Sequence, residues 1–205
     1  DAGYEFTIWR VETGSADIAD PAASSTSVTL NAGDAVIAAG FATRTYTMTM
    51  AVNGNGSTTP SGSATVEHGV PQTITATPDA GAVFAGWEVI DGSATIDDPS
   101  SATTTATLVS GNATIQANFD LLSYTLYVLS GDNGTTDPTG AVSVDHGVPA
   151  VIRAIPDAGY AFGSWSVDSG SAEIDDPLQA QTGVTLLEGN AKVAATVVED
   201  PDYVP

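Results

Sequence analysis

The sequence predicts an all-β protein of tandem, small Ig-like β-sandwich domains, with β-grasp-like units as the alternative. Three observations carry this expectation. Apolar and polar residues alternate with a period of two: Tyr46, Met48, Met50 and Val52 interleave with Thr45, Thr47, Thr49 and Ala51. Turn-forming residues punctuate the chain at short intervals, at about the 8–12 residue spacing of sandwiches and barrels. The whole pattern then returns every 78 residues without a gap, the mark of an array of like units.

Taken in order, the first segment, 1–44, is the C-terminal half of a unit. Its opening Asp1-Ala2-Gly3, its Trp9 and its Asp20-Pro21 recur as Asp79-Ala80-Gly81, Trp87 and Asp98-Pro99, and again as Asp157-Ala158-Gly159, Trp165 and Asp176-Pro177. Complete units follow at 45–120 and 121–200, with nearly half of their aligned positions identical, and a tail at 201–205. Six or seven short strands are expected per unit, and about four in the half-unit. Thr fills the polar faces, where a β-branched side chain suits the pleat. Thr73-Ile74-Thr75-Ala76-Thr77 and Thr114-Ile115-Gln116-Ala117-Asn118-Phe119 alternate in the same way. Asn53-Gly54-Asn55-Gly56 and Asp132-Asn133-Gly134 supply the φ > 0 residues of tight hairpins. Further corners fall at His68-Gly69-Val70-Pro71, Pro78-Asp79-Ala80-Gly81, Asp97-Asp98-Pro99 and Gly111-Asn112, each with its counterpart one period on. No stretch holds a 3.6-residue period. Phe84 and Trp87, three apart, would face opposite sides of a regular strand. The intervening Gly86, like Gly163 between Phe162 and Trp165, suggests a bulge that turns both inward. The other reading leaves one of the pair at an exposed face. Joints of a few residues free of Gly and Pro, Ala42-Thr43-Arg44 and Asp120-Leu121-Leu122, restrict swing between units.

Composition narrows the function. Asp and Glu total 25 against four basic residues, a formal net charge of −21. Phosphate binding needs Lys and Arg, so nucleic acid is excluded as a partner, and attraction to anionic membrane surfaces is disfavoured. There is no cysteine for a disulfide or thiolate chemistry, and no apolar run long enough for direct membrane insertion. Because the chain opens in mid-repeat, on Asp rather than Met, the expectation is a processed chain, a fragment or the ordered part of something longer.

Candidate sites are few. Asp97, Asp98, Asp175 and Asp176 offer carboxylate oxygens to Ca²⁺, which takes six to eight oxygen ligands. Asp before Pro is equally a turn starter. Apart from calcium no cofactor is expected. His68 and His146 give one imidazole per unit, too few for a metal cluster, and read as corner residues whose rings bond nearby backbone. Trp9, Trp87 and Trp165 read as core residues, the alternative being platforms for sugar stacking. Asn55, Asn112 and Asn133 open acceptor patterns for N-glycosylation, although Asn-Gly is also a preferred turn pair. The acids recur at turns rather than facing each other across a cleft, so glycosidase chemistry is not expected. Without Cys or a Ser–His–Asp signature, no catalytic residue is expected and the chain reads as a non-enzyme.

The motif Pro-Asp-Ala-Gly-x-x-Phe-x-x-Trp, then Gly-Ser-Ala-x-Ile-x-Asp-Pro, a Thr-rich strand, and Gly-Asn-Ala-x-Ile/Val-x-Ala resembles the divergent internalin-B-type bacterial repeat. So does the preceding half, with Asn-Gly, Pro-x-Gly and Val-x-His-Gly-Val-Pro-x-x-Ile-x-Ala. The resemblance spans essentially the whole chain. It implies tandem modules of secreted or surface-attached proteins in spacer, stalk or adhesive roles, with no catalytic residues to carry over. Better-known members of the wider class have a β-grasp-like fold with a helix; no helix is legible here, and a sandwich is expected.

The expected protein is therefore an extracellular or cell-surface structural repeat forming a stalk, fibre or self-assembling filament. Its partners would be like chains or adjacent repeats. The half-unit would expose unpaired edges alone, so strands from a neighbouring chain or a missing N-terminal segment are expected to complete it. The alternative is an adhesin that recognises a glycan or surface protein through its loops.

Overall fold

The computed structural model describes residues 2–203. Asp1, which opens the first repeated motif, and Val204-Pro205, which end the tail, lie outside the described residues. The chain is all-β, with about 70% of residues in strands, and no helix occurs among the described residues.

The half-unit is two long strands, β1 (Tyr4–Ile18) and β2 (Val28–Thr43), paired antiparallel as a ribbon. The four short strands expected there are thus joined in pairs. Each strand survives the junction by bending at breaks in register rather than by stopping. The second repeat has β3 (Thr45–Asn53), β4 (Gly56–Thr59), β5 (Ser63–Glu67), β6 (Gln72–Pro78), β7 (Ala82–Gly92), β8 (Thr95–Ile96), β9 (Thr103–Thr107) and β10 (Ala113–Leu121). The third has β11 (Ser123–Leu129), β12 (Gly134–Asp137), β13 (Gly140–Asp145), β14 (Ala150–Pro156), β15 (Tyr160–Ile174) and β16 (Gln181–Glu199). Shifted by 78, β1 spans the range of β7 plus β8 and then coincides with β15, while β2 lies within the range of β9 through β10 and then of β16. The sequence period is thus a structural period.

Two sheets form the second repeat: β5-β3-β10-β7 and β4-β6-β9-β8. The first strand, β3, runs parallel to the last, β10, with Met48 opposite Ala113 and Met50 opposite Ile115. Its other edge takes β5 antiparallel. In the third repeat β16 serves both layers. Its first part pairs with β14, its later part runs parallel to β11, and β15 follows it along most of its length. The whole chain folds as two compact units. One holds the residues up to Asn53 with Ser57–Thr77 and Ala85–Asn118; the other holds Gly54–Gly56, Pro78–Phe84 and the chain from Phe119 onward.

Within each unit, alternation places one residue in two inside. Met48, Ile74, Leu108 and Ile115 are fully buried in the first. Leu126, Ile152, Val184, Leu186 and Val193 close the core of the second around Trp165. Each such side chain contributes about 1.5–3 kcal/mol through removal from water.

The bulge expected between Phe and Trp is present. Register shifts between Phe162 and Ser164 in β15, and between Phe6 and Ile8 in β1, where the inserted residue is Thr7 rather than Gly. The extra residue turns both rings inward: Trp165 is buried, Phe162 packs against the core, and the ring centroids lie 5.9 Å apart. Phe6 and Trp9 approach to 5.4 Å in the same way.

Candidate functional site

The recurring polar residues are engaged in building the repeat. At the Asp-Pro corners the backbone N–H of Trp9, Trp87 and Trp165 donates to the carbonyl of Pro21, Pro99 and Pro177, each at 2.8 Å. The indole N–H of Trp9 donates to Ala23 O at 3.1 Å and that of Trp87 to Ser101 O at 3.0 Å. Trp165 Nε1 is buried without such a partner. The tryptophans therefore pin the corner to the strand pair; Trp87 and Trp165 are buried in their cores, whereas Trp9 on the ribbon is half-buried.

The candidate calcium carboxylates lie in these corners. Asp98 Oδ1 accepts from the Ser100 N–H at 2.9 Å and the Ser100 hydroxyl at 2.6 Å, while Asp98 N–H donates to Thr104 Oγ1. Asp176 repeats the pattern with Leu178 and Thr182, and Asp20 with Ala22 and Thr26. The Ser100 hydroxyl, then the Ser100 N–H, hold the Asp98 carboxyl below its ordinary value. Asp97 and Asp175 join the neighbouring strand through their backbone N–H, to Thr105 O and Gly183 O. Among the described residues no three His, Asp or Glu side chains converge as a metal ligand set.

The glycosylation candidates all have exposed side chains. Asn55 lies in the β3–β4 turn and Asn133, at φ 66°, in the β11–β12 turn; neither turn is the tight hairpin expected, because β4 pairs with β6 in the other sheet and β12 pairs with β14 rather than β11. The carbonyls of Asn55 and Asn133 accept from the N–H of Asp79 and Asp157. Asn112 has a role that sequence reading missed. Its amide oxygen accepts from Thr47 N–H at 2.8 Å, and Asn190 does the same for Thr125. The Gly-Asn pair thus locks the start of the first strand of a repeat beside its last. The signal was the recurrence of Gly-Asn in both complete units, against Gly33-Asp34 in the half-unit.

The histidines form a second device. Gly3 and Gly81 accept from the backbone N–H of Arg44 and Leu122, at 2.9 and 2.8 Å, and the carbonyls of those residues accept from His68 and His146 N–H. Each imidazole then lies against the glycine, where an added Cβ would collide with the ring. Gly81, at φ 77°, is in the left-handed region as well. The His68 ring faces Tyr46, with Nδ1 3.3 Å from the hydroxyl, rather than bonding backbone as expected. At Gly159 the tail reproduces the arrangement in four residues. Asp200 N–H donates to Gly159 O, Asp200 O accepts from Tyr203 N–H, and the Tyr203 ring covers the glycine.

One surface is not consumed by folding. Leu30, Leu108 and Leu186 are equivalent, yet the last two are 0% exposed and Leu30 is 59% exposed. Phe41 is 64% exposed where its equivalent Phe119 is 6% exposed. Phe119 is covered by the β3–β4 connection, where Gly56 has room only for hydrogen against the ring; the β1–β2 ribbon has no such cover. The ribbon itself is built as in a complete unit. Phe6 and Phe41 meet edge to face at 6.1 Å, as Phe84 and Phe119 do at 5.9 Å.

This architecture defines a class: an all-β tandem-repeat protein whose repeated polar residues serve turns and joints. The chain belongs to the family described as the divergent InlB B-repeat domain, which matches residues 1–45, 46–122 and 124–200. No curated protein and no solved structure matches it.

Proposed function

We propose that the chain is a non-catalytic spacer of an extracellular or cell-surface protein, with the open half-unit as the place where further strands join the array. The observation that carries this reading is the use made of the conserved period. The residues recurring every 78 positions are core, corner and joint, and the carboxylates and amides among them bond backbone of their own unit. A fibre grown by strand complementation at the half-unit is the stronger form of the same reading.

Single-molecule stretching tests it. A complete repeat of about 78 residues should unfold as one event, releasing roughly 260 Å of contour before the folded span is subtracted. Gradual extension without discrete events would argue against a mechanical spacer. The second reading, adhesion through loops, has a foothold in a groove of about 390 Å³ lined by Pro138, Val142, Val148 and Val151. Saturable binding on a glycan array, abolished by Val148→Asp, would favour adhesion over spacing.

A further inference from the structure

The third repeat carries an apolar wall that the second repeat does without. The groove of about 390 Å³ is lined by Val142 of β13, by Val148 and Pro149 at the corner that follows, and by Ala150 and Val151 at the start of β14. Val151 is 63% exposed and Val148 is 46% exposed. One period earlier, the positions of Val142, Ala150 and Val151 hold Ala64, Gln72 and Thr73. The second repeat forms the same strands, β5 and β6, from those smaller or polar residues, so folding does not require the apolar ones. Exposed apolar side chains that the fold does not need mark a contact surface.

The backbone beside the groove is open as well. β13 ends its sheet, with β11 on one side and, among the described residues, no strand on the other. It pairs with β11 in unbroken register over its 6 residues, leaving about 20 Å of regular outer edge. Edge strands are ordinarily blunted by Lys, Pro or a bulge; Gly140–Val144 has none of these. Such an edge is a template for an added strand, and a groove beside it takes alternate side chains of that strand.

The rim of the groove is acidic. Asp145 lines it, and the Asp175 carboxylate lies beside Pro149, both close to Gly183. At the other end Asp137 precedes Pro138 and stands opposite Arg153 in the β12–β14 pair. The whole chain carries −21. At low salt that charge attracts a basic partner and repels a second copy.

We propose that the β13 edge and its groove receive an extended, basic-flanked segment of another protein. The segment adds as a strand to β13 and seats alternate apolar side chains against Val142, Val148 and Val151, with its cationic flanks at Asp145 and Asp175. The site belongs to the third repeat alone, since the second keeps the edge but lacks the wall. The spacer role stands whether or not the groove is occupied.

The probe is a synthetic peptide of alternating valine and threonine with two lysines at each end, titrated at low salt into the whole chain. Saturable binding is expected. Amide exchange of Gly140–Asp145 should slow, while that of Ser63–Glu67 stays as it was. The triple variant Val142→Ala, Ala150→Gln and Val151→Thr installs residues with which the second repeat already folds, and should bind at least about tenfold more weakly. A peptide flanked by glutamates should lose at least about tenfold, and one with a central proline should lose as much, because proline has no N–H for the ladder. Absence of binding, or equal binding by the triple variant, would overturn the proposal. So would undiminished binding of the proline peptide, a glycan that occupies the groove in its place, or a dimer of the chain that protects Gly140–Asp145 without peptide.

Discussion

Trp87 and Trp165 hold the same place in successive repeats and differ in one bond. Trp87 donates its indole N–H to Ser101 O, whereas Trp165 Nε1 has no such partner. Both substitutions to Phe shrink a core ring, but Trp87→Phe also strands a carbonyl. A net hydrogen bond is worth about 0.5–1.5 kcal/mol, so Trp87→Phe should destabilise by about 1 kcal/mol more than Trp165→Phe in denaturant titrations. Equal losses would mean the indole bond contributes nothing. Asp98 gives a second test. Its pKa is lowered in the fold by the Ser100 hydroxyl and N–H, so the charged form is favoured when folded. The associated stability is present above the ordinary carboxylate pKa and is lost as pH falls through the lower, folded value. Ser100→Ala recreates the situation of Ala22, which offers Asp20 only its N–H. The Asp98 carboxyl should then titrate at higher pH by NMR, and the acid-side loss of stability should weaken; an unmoved titration would remove the hydroxyl as the cause.

Among elements, the strand pair β1–β2 and its copies supply an internal control. Leu108 is enclosed and Leu30 is not. Leu108→Ala should cost about 2–5 kcal/mol, while Leu30→Ala should change stability by less than about 0.5 kcal/mol, both read from thermal melts. A large loss at Leu30 would show that its face is covered in solution. The pairing of Phe and Trp was legible in sequence as a bulge because Gly86 and Gly163 interrupt the alternation. That β1 bulges at Thr7 was not legible, since nothing in Phe6-Thr7-Ile8-Trp9 departs from a plain strand; the pairing with β2 sets it, and brings the Phe6 and Trp9 rings to 5.4 Å. The two-strand form of the half-unit was equally hidden. The expected four short strands imply a break in each, yet the partner strand bends with β1 and pairing continues. The ring-on-glycine joints join residues 65 positions apart, Gly3 with His68 and Gly81 with His146, beyond any local pattern.

At the scale of the molecule, the net charge of −21 over 205 residues sets the conditions under which the chain is stable. Like charges repel in the compact state, and salt at about 1 M shortens the screening length to about 3 Å. Melting temperature should therefore rise between low and high NaCl; a fall would show that attractive pairs dominate. The sequence by itself determined the all-β class, the 78-residue period, the positions of the turns, and the core identity of Trp87 and Trp165. Each is written in local alternation or in recurrence, and both survive without knowledge of contacts. Only the tertiary structure decided that Asn112 and Asn190 lock first strand to last, that Tyr203 stands where His68 and His146 stand, and that Leu30 is bare while Leu108 is enclosed. Those properties depend on which distant segment lies opposite. Identical side chains on the same local strand therefore become core or open surface according to whether their covering strands are present.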